Sequence, residues 1–317
     1  MRGIMADIKK VFEKQGGTEL LKRWWKAGVL PFAVAQALSL GFSKKSLEIL
    51  RLSVNNKILQ KLHKKYRKEM VAFRDVYVPQ ERTRSQKVWV CWLQGMEAAP
   101  ELVQRCYRSL QENLTDRQIV LLTEENYRSY VTFPDHVQRK IDSGIITKTH
   151  FSDLLRLELL LNHGGTWIDA TVFCSGKNVP DYMLNSDLFL FQNLKPGADG
   201  HAVMLSSWFM TACTNHPVLA MTRHLLYRYW EKNNSLVDYF LLHDFLQLSL
   251  AAYPEEHKKI VPFSNATPHI LLLRLFDEFD PDIYQAICTQ TAIHKLSYKS
   301  TAEQKNAPDT YYQYILR

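Results

Sequence analysis

The chain has 317 residues, 46% of them hydrophobic, which is ample for one large domain or two smaller ones. It contains no apolar run of 18 residues, so no confident membrane-spanning helix is expected. Its five cysteines are scattered and form no CxxC pair, which fits a reducing cytosol better than a disulfide framework or a zinc site.

The net charge of +8 is unevenly placed. Residues 1–85 hold 19 Lys and Arg against 7 Asp and Glu, a balance of +12, and residues 86–317 come to −4. The opening MRGIMADIKKVFEK lacks the apolar core of a secretory signal. Residues 5–70 read as basic helices, with Trp24 and Trp25 adjacent and Pro31 placed to open a second helix. The stretch 44–70 is amphipathic and lysine-rich. Basic helices carrying tryptophan fit contact with an anionic membrane surface through residues 1–70; the alternative is a helical cap with solvated lysines. No nucleic-acid motif accompanies the charge, so no nucleic-acid partner is expected.

Residues 76–86 look like a linker, which divides the chain into a basic helical region, 1–85, and a second domain, 86–317. Lys87–Leu93 reads as a strand, Gln94 and Gly95 as a turn, and Pro100 as the opening of a helix. A second strand is expected over Gln118–Leu122, followed by a short helix capped by Thr123. This alternation predicts a parallel sheet with right-handed crossovers. Neither GxGxxG nor GxxxxGK occurs where a dehydrogenase or a P-loop enzyme needs it.

The stretch FSDLLRLELLLNHGGTWIDATVF, 151–173, organises the rest. Ser152 is a good N-cap, six leucines make a buried helix, and Gly164 and Gly165 stop it. A strand then begins at Thr166 and delivers Asp169 near its carboxyl end, where α/β sheets bind ligands. Asp153 and Arg156 share a helix face and are costly to bury unless paired or liganded. Val172–Ser175 should continue the strand, and further strands are expected over Ser186–Asn193 and SSWFMTA. Two amphipathic helices are expected in 216–253, with His243 and Asp244 as satisfied core groups, and 254–285 reads as irregular.

The central string resembles the SDxxRxxxLxxxGGxWxDxT signature of the capsular polysaccharide synthesis proteins, sugar transferases related to glycosyltransferase family 32 and its DxD motif. The resemblance covers about residues 86–300. It implies a GT-A type, Rossmann-like α/β fold with a mostly parallel sheet flanked by helices. It also implies transfer of a hexose, galactose or glucose, from a UDP-sugar to a lipid-linked or polysaccharide acceptor, with retention at the anomeric carbon. Asp153, Arg156 and Asp169 are then the catalytic candidates. Trp92, Gln94 and Gly95, beside the opening VWVCWLQGMEAAP, are candidates for holding uracil and diphosphate; one of Trp89 and Trp92 should be core.

The closing IHKLSYK resembles the family's last motif. The implied metal, Mn2+ or Mg2+, would be held by Asp169 and His294, while Lys295 and Lys299 would meet phosphate oxygens. His294 and Lys295 cannot both do this from an extended strand, because neighbours face opposite ways. Thr171, Gln192, Ser207 and Trp208 are sugar or acceptor candidates, the last two equally readable as a packed strand. Thr171 stands where a DxD motif has its second acid, which allows a non-catalytic scaffold as the rival reading, with a nucleotidyltransferase as a third. The expected location is cytoplasmic and peripheral, at the inner face of the cell membrane.

Overall fold

The computed structural model describes residues 17–194 and 205–317, so the helical start expected over 5–16 lies outside the described residues. Three helices come first: α1 Gly17–Lys26, α2 Leu30–Leu40 with Pro31 in its first turn, and α3 Lys44–Val76. Ser43 caps α3 by accepting the Ser46 N–H at 3.0 Å. Along α3, Leu50, Val54, Ile58, Leu62, Tyr66 and Met70 are buried at four-residue steps, one stripe of a 3.6-residue helix. That stripe joins the core of the sheet domain, where Tyr66 meets Phe245 edge-on at 5.0 Å. The boundary near residue 85 therefore separates charge but not core.

The segment between α3 and the sheet has no regular structure, yet it is tied down along its length. Arg82 forks onto Glu256 with both bonds at 3.2 Å, Thr83 N–H reaches Thr214 Oγ1 at 2.9 Å, and Arg84 pairs with Asp187 at 2.9 Å.

The strands are β1 Lys87–Cys91, β2 Gln118–Leu122, β3 Gly165–Ile168, β4 Val172–Cys174, β5 Leu188–Gln192, β6 Leu205–Ala212 and β7 Ile293–Lys295. Five form the main sheet in the order β2-β1-β3-β6-β5. β1 runs parallel to β2 and β3, while β6 is antiparallel to β3 and β5. Four strands thus share one direction and one opposes them, the mostly parallel α/β sheet that the sequence predicts. The flanking helices include α4 Glu101–Asn113, α5 Asp135–Asp142, α6 Lys148–His163, α7 Asp181–Asn185, α8 Pro217–Lys232 and α9 Leu241–Ala252.

Four local expectations are corrected. The N-cap of α6 is Thr147, whose hydroxyl accepts the His150 N–H at 3.4 Å; Ser152 lies inside the helix and donates to the Thr149 carbonyl at 2.7 Å. The chain turns at Asp169–Thr171, closed by Val172 N–H to Asp169 O at 3.0 Å, so β4 does not prolong β3 but leaves the main sheet to pair with β7. The helix expected after Thr123 is a single 3-10 turn, Tyr127–Ser129. Residues 254–285 hold the short helices Pro254–Lys258 and Ile270–Arg274, and Pro281–Gln290 begins there, capped by Asp280.

The double glycine ends α6 and starts β3. Gly164 has φ +65° and donates to the Leu160 carbonyl at 3.0 Å; Gly165 has φ +97° and lies so close to β1 that an added Cβ would stand 2.3 Å from the Lys87 carbonyl oxygen. Positive φ and overpacking each cost a side chain here, so Gly165→Ala should destabilise the fold by about 3 kcal/mol, read as a lower urea midpoint. An unchanged midpoint would mean that β1 and β3 are not packed this closely.

Candidate active site

A cleft of about 580 Å³ opens at the carboxyl ends of β1 and β3. Its walls come from the end of β1 (Cys91–Gln94), from α6 (Asp153, Arg156), from the turn after β3 (Asp169–Thr171), from Ser207 on β6, and from Tyr239, His243, Tyr298 and Lys299. The parallel sheet is what gathers them, since strands running the same way present their ends together.

Asp169 continues β3 by one residue, with its N–H on the Trp208 carbonyl at 2.8 Å. Its Oδ1 accepts from Trp167 Nε1 at 3.0 Å and lies 3.7 Å from Arg156 Nη2; its Oδ2 accepts from Lys295 Nζ at 3.0 Å. Lys295 also donates to the Thr171 hydroxyl. Arg156 is buried and fully engaged. It donates to the Ser207 carbonyl at 2.7 Å and to the Ser207 hydroxyl, and approaches Asp153 Oδ1 at 3.4 Å, with its guanidinium 5.0 Å from the centre of the Trp167 ring. His150 Nδ1 lies 3.1 Å from the other oxygen of Asp153. The fold therefore brings together the three catalytic candidates, Asp153, Arg156 and Asp169.

Burial pushes the Asp153 carboxyl up, but Arg156 and His150 outweigh it; burial likewise opposes Lys295 and Arg156 at Asp169 and loses. Both carboxyls end below their ordinary range and are ionised at neutral pH. Burial pushes His243 down to about 4 against the pull of Asp153, so that imidazole is neutral. Burial pushes the Cys91 thiol up to about 12, far from a reactive thiolate.

The other candidates divide. Trp92, Gln94, Thr171, Ser207 and Lys299 line the cleft; Lys295 is not part of the wall but is tied to Asp169 and Thr171, which are. Trp92 is half-buried with Tyr298 edge-on at 5.6 Å, while Trp89 is the fully buried core ring of the pair. Gly95 makes the turn after β1 at φ +81° and is not part of the wall. Gln192 and Trp208 are also off the cleft. Gln192 is fixed by backbone bonds to Phe263 and Asn265, and Trp208 is stacked on Phe191 at 4.5 Å with its indole N–H on Asn265 Oδ1 at 2.8 Å. His294 is corrected outright. It pairs with Phe173 across the β4–β7 ladder, is fully buried, and places Nε2 2.9 Å from Ser175 Oγ, while its neighbour Lys295 takes the face toward Asp169.

Sequence reasoning missed Trp167, Tyr239 and Tyr298, and read His243 only as core. Trp167 had a signal, because residues two apart on a strand share a face and so place it beside Asp169. Tyr239, His243 and Tyr298 arrive from distant segments and carry no local mark.

The residues present do not fit the divalent ion expected at Asp169 and His294. His294, the expected second ligand, faces the core with Nε2 at Ser175, and the Thr171 hydroxyl is held by Lys295, so Asp169 is left as the one carboxylate of the expected set on the cleft. Among the described residues no group of three or more His, Cys, Asp or Glu is placed to hold a metal.

The model of a family described as "Capsular polysaccharide synthesis protein" matches residues 40–315. A solved structure titled "PaToxG Glycosyltransferase" is similar at 14% identity with a TM-score of 0.37, covering 84% of this chain and 97% of that one. No curated protein matches the chain.

The placement of His294 has a measurable consequence. Burial lowers its pKa from 6.5 to about 4, so between those values the unfolded chain binds a proton that the folded chain does not, and stability falls as pH falls through that window. His294→Asn should therefore flatten the dependence of the urea midpoint on pH between 6.5 and about 4. An unaltered slope would mean that His294 is not held neutral in the core.

Proposed function

Because the chain belongs to the capsular polysaccharide synthesis protein family, we propose that it is a hexosyltransferase that takes its sugar from a UDP-sugar, in the GT-A manner, and acts with retention. What supports this most is the meeting of Arg156 and Lys295 on Asp169 at the floor of a cleft whose rim carries Trp92 and Tyr298. Transfer from a nucleoside diphosphate sugar leaves a diphosphate whose charge must be met as the bond breaks. In this reading two cations, Arg156, on the wall, and Lys295, held at Asp169, meet that charge. Lys299, also on the wall, is a third.

In this reading the flat indole of Trp92 stacks on the uracil, worth about 1–3 kcal/mol for a base on an aromatic face. Gln94 sits beside it for the edge of the base or the ribose. Asp153 and Asp169 orient Arg156 and Lys295 and accept from donor hydroxyls at their remaining lone pairs. Both carboxylates are tied to cations, which makes them poor nucleophiles. That favours attack by the acceptor hydroxyl on the same face as the leaving diphosphate, whose oxygen takes the proton.

The reaction scheme uses the cations of the chain and routes no step through a divalent ion. Lys295→Ala or Arg156→Lys should lower kcat by about 10²–10³ with a smaller change in KM for the donor, the cost of removing one donor aimed at developing charge. Chelation with EDTA should leave turnover in place, measured as UDP release with a panel of UDP-hexoses. A rate lost to EDTA and restored by Mn2+ would return the metal to the scheme.

The acceptor in this reading is lipid-linked, and the protein meets the inner, anionic face of the membrane. No described helix is long and apolar enough to cross a membrane. Of the sixteen large apolar side chains left exposed among the described residues, ten lie between Leu21 and Val78, among them Trp25 at 71% and Leu38 at 74%. Eight of the ten lie on α1, α2 and α3, and α1 and α3 also carry most of the basic excess, the pairing that interfacial helices use. Trp25→Glu with Leu38→Glu should abolish co-sedimentation with phosphatidylglycerol vesicles and leave the melting temperature unchanged. Undiminished co-sedimentation would remove the membrane contact.

A further inference from the structure

A second cavity, of about 460 Å³, lies between α1, α3 and the loop that leads into α9. It is not separate from the first. Tyr239 lines both cavities and is 54% exposed, so the two meet at this residue.

The lining of this cavity has a consistent chemistry. Arg23 and Arg51 face it from two different helices, and Trp24, Tyr239 and Phe240 add aromatic surface. Arg23 gives one hydrogen bond along its own helix, to the Glu19 carbonyl at 3.4 Å, and neither arginine belongs to an ion pair among the described residues. The acid on the wall, Asp238, is buried, and its Oδ1 accepts the Phe240 N–H at 2.7 Å. Two guanidinium groups with no carboxylate within ion-pair distance, Arg23 feeling Asp238 and Glu19 only from farther away, suit a diphosphate, since each presents a planar fork that matches phosphate oxygens. The aromatic faces suit the apolar side of a sugar ring.

What borders the cavity points to the rest of the ligand. Leu21 and Trp25, one turn apart on α1, flank Trp24 and are exposed. On α3, Leu52 follows Arg51 and is 47% exposed. A phosphate group held by the arginines would thus have apolar surface beside it on one side and, past Tyr239, the cleft with Asp169 on the other.

We propose that this cavity is the acceptor subsite and takes the diphosphate headgroup of a lipid-linked acceptor. The arginines grip the diphosphate, the hydrocarbon chain lies along the exposed face of α1 and α3, and the acceptor sugar passes Tyr239 to reach the donor. The direction of the sugar rests on the transferase reading; binding of a lipid diphosphate does not.

The test is titration calorimetry on the full chain with dodecyl diphosphate, kept below its micelle concentration, as the probe. The wild type should bind one equivalent and should still bind it with UDP at saturation. The double variant R23Q/R51Q should bind the probe about ten-fold or more weakly, as expected when charge-assisted bonds to phosphate are lost, with UDP affinity and melting temperature unchanged. Displacement of the probe by UDP would put it in the cleft and overturn the subsite. Absence of binding, equal affinity in the double variant, or equal affinity for uncharged dodecyl maltoside would overturn the diphosphate grip. Equal competition by dispersed phosphatidylglycerol would make the surface a general membrane contact, which also overturns it. Failure of UDP itself to bind would strike the transferase reading alone and would leave the probe result standing.

Discussion

A carboxylate on the wall of a cleft is held in place by the opposite charge around it, and at Asp169, whose side chain is 29% exposed, five elements of the fold are arranged to do so. β3 supplies Asp169 and Trp167, α6 supplies Arg156, β7 supplies Lys295, β6 holds Arg156 through Ser207, and the β3–β4 turn brings Thr171 under the same ammonium group. Asp153 completes the set, so two carboxylates face two cations and the floor of the cleft is close to neutral before any ligand arrives. On the function proposed above, an incoming diphosphate is received by exchange: phosphate oxygens take the place of carboxylate oxygens on groups already in position.

The sequence carried the framework of this site more plainly than its details. The spacing of Asp153, Arg156, the glycine pair and Asp169 was readable because it is local, and helix and strand periods fix where each side chain goes. The order of strands and helices likewise announced a mostly parallel sheet. The choice between His294 and Lys295 was not readable. It depends on which residue of β7 stands opposite Val172, and a strand of three residues has too little pattern to declare its faces. That Trp208 and Gln192 lie off the cleft was unreadable for another reason. A packed aromatic strand and a sugar-binding one have the same composition, and only the neighbours Phe191 and Asn265 decide between them.

The N-terminal helices teach a related lesson about averages. Their summed charge reads as an arm apart from the domain. Yet α3 commits its stripe from Leu50 to Met70 to the common core and turns only its other faces outward. Composition blends the two faces. Periodicity separates them, and the four-residue step of the buried positions was present in the sequence. The membership of residues 40–315 in one family agrees with a core that takes in α3.

The ladder of β4 and β7 stands outside the main sheet and is only three residue pairs long. Neighbouring positions on a strand point to opposite sides, so a slip of one residue in β7 would carry Lys295 inward and bring His294 out to face Asp169. An ammonium ion would be exchanged for an imidazole, a fixed charge for a metal ligand, with the rest of the backbone unmoved. One inserted or deleted residue in the stretch before β7 is thus enough to change which of two chemically different side chains meets the carboxylate, a short evolutionary path between an ammonium ion and an imidazole at the same spot.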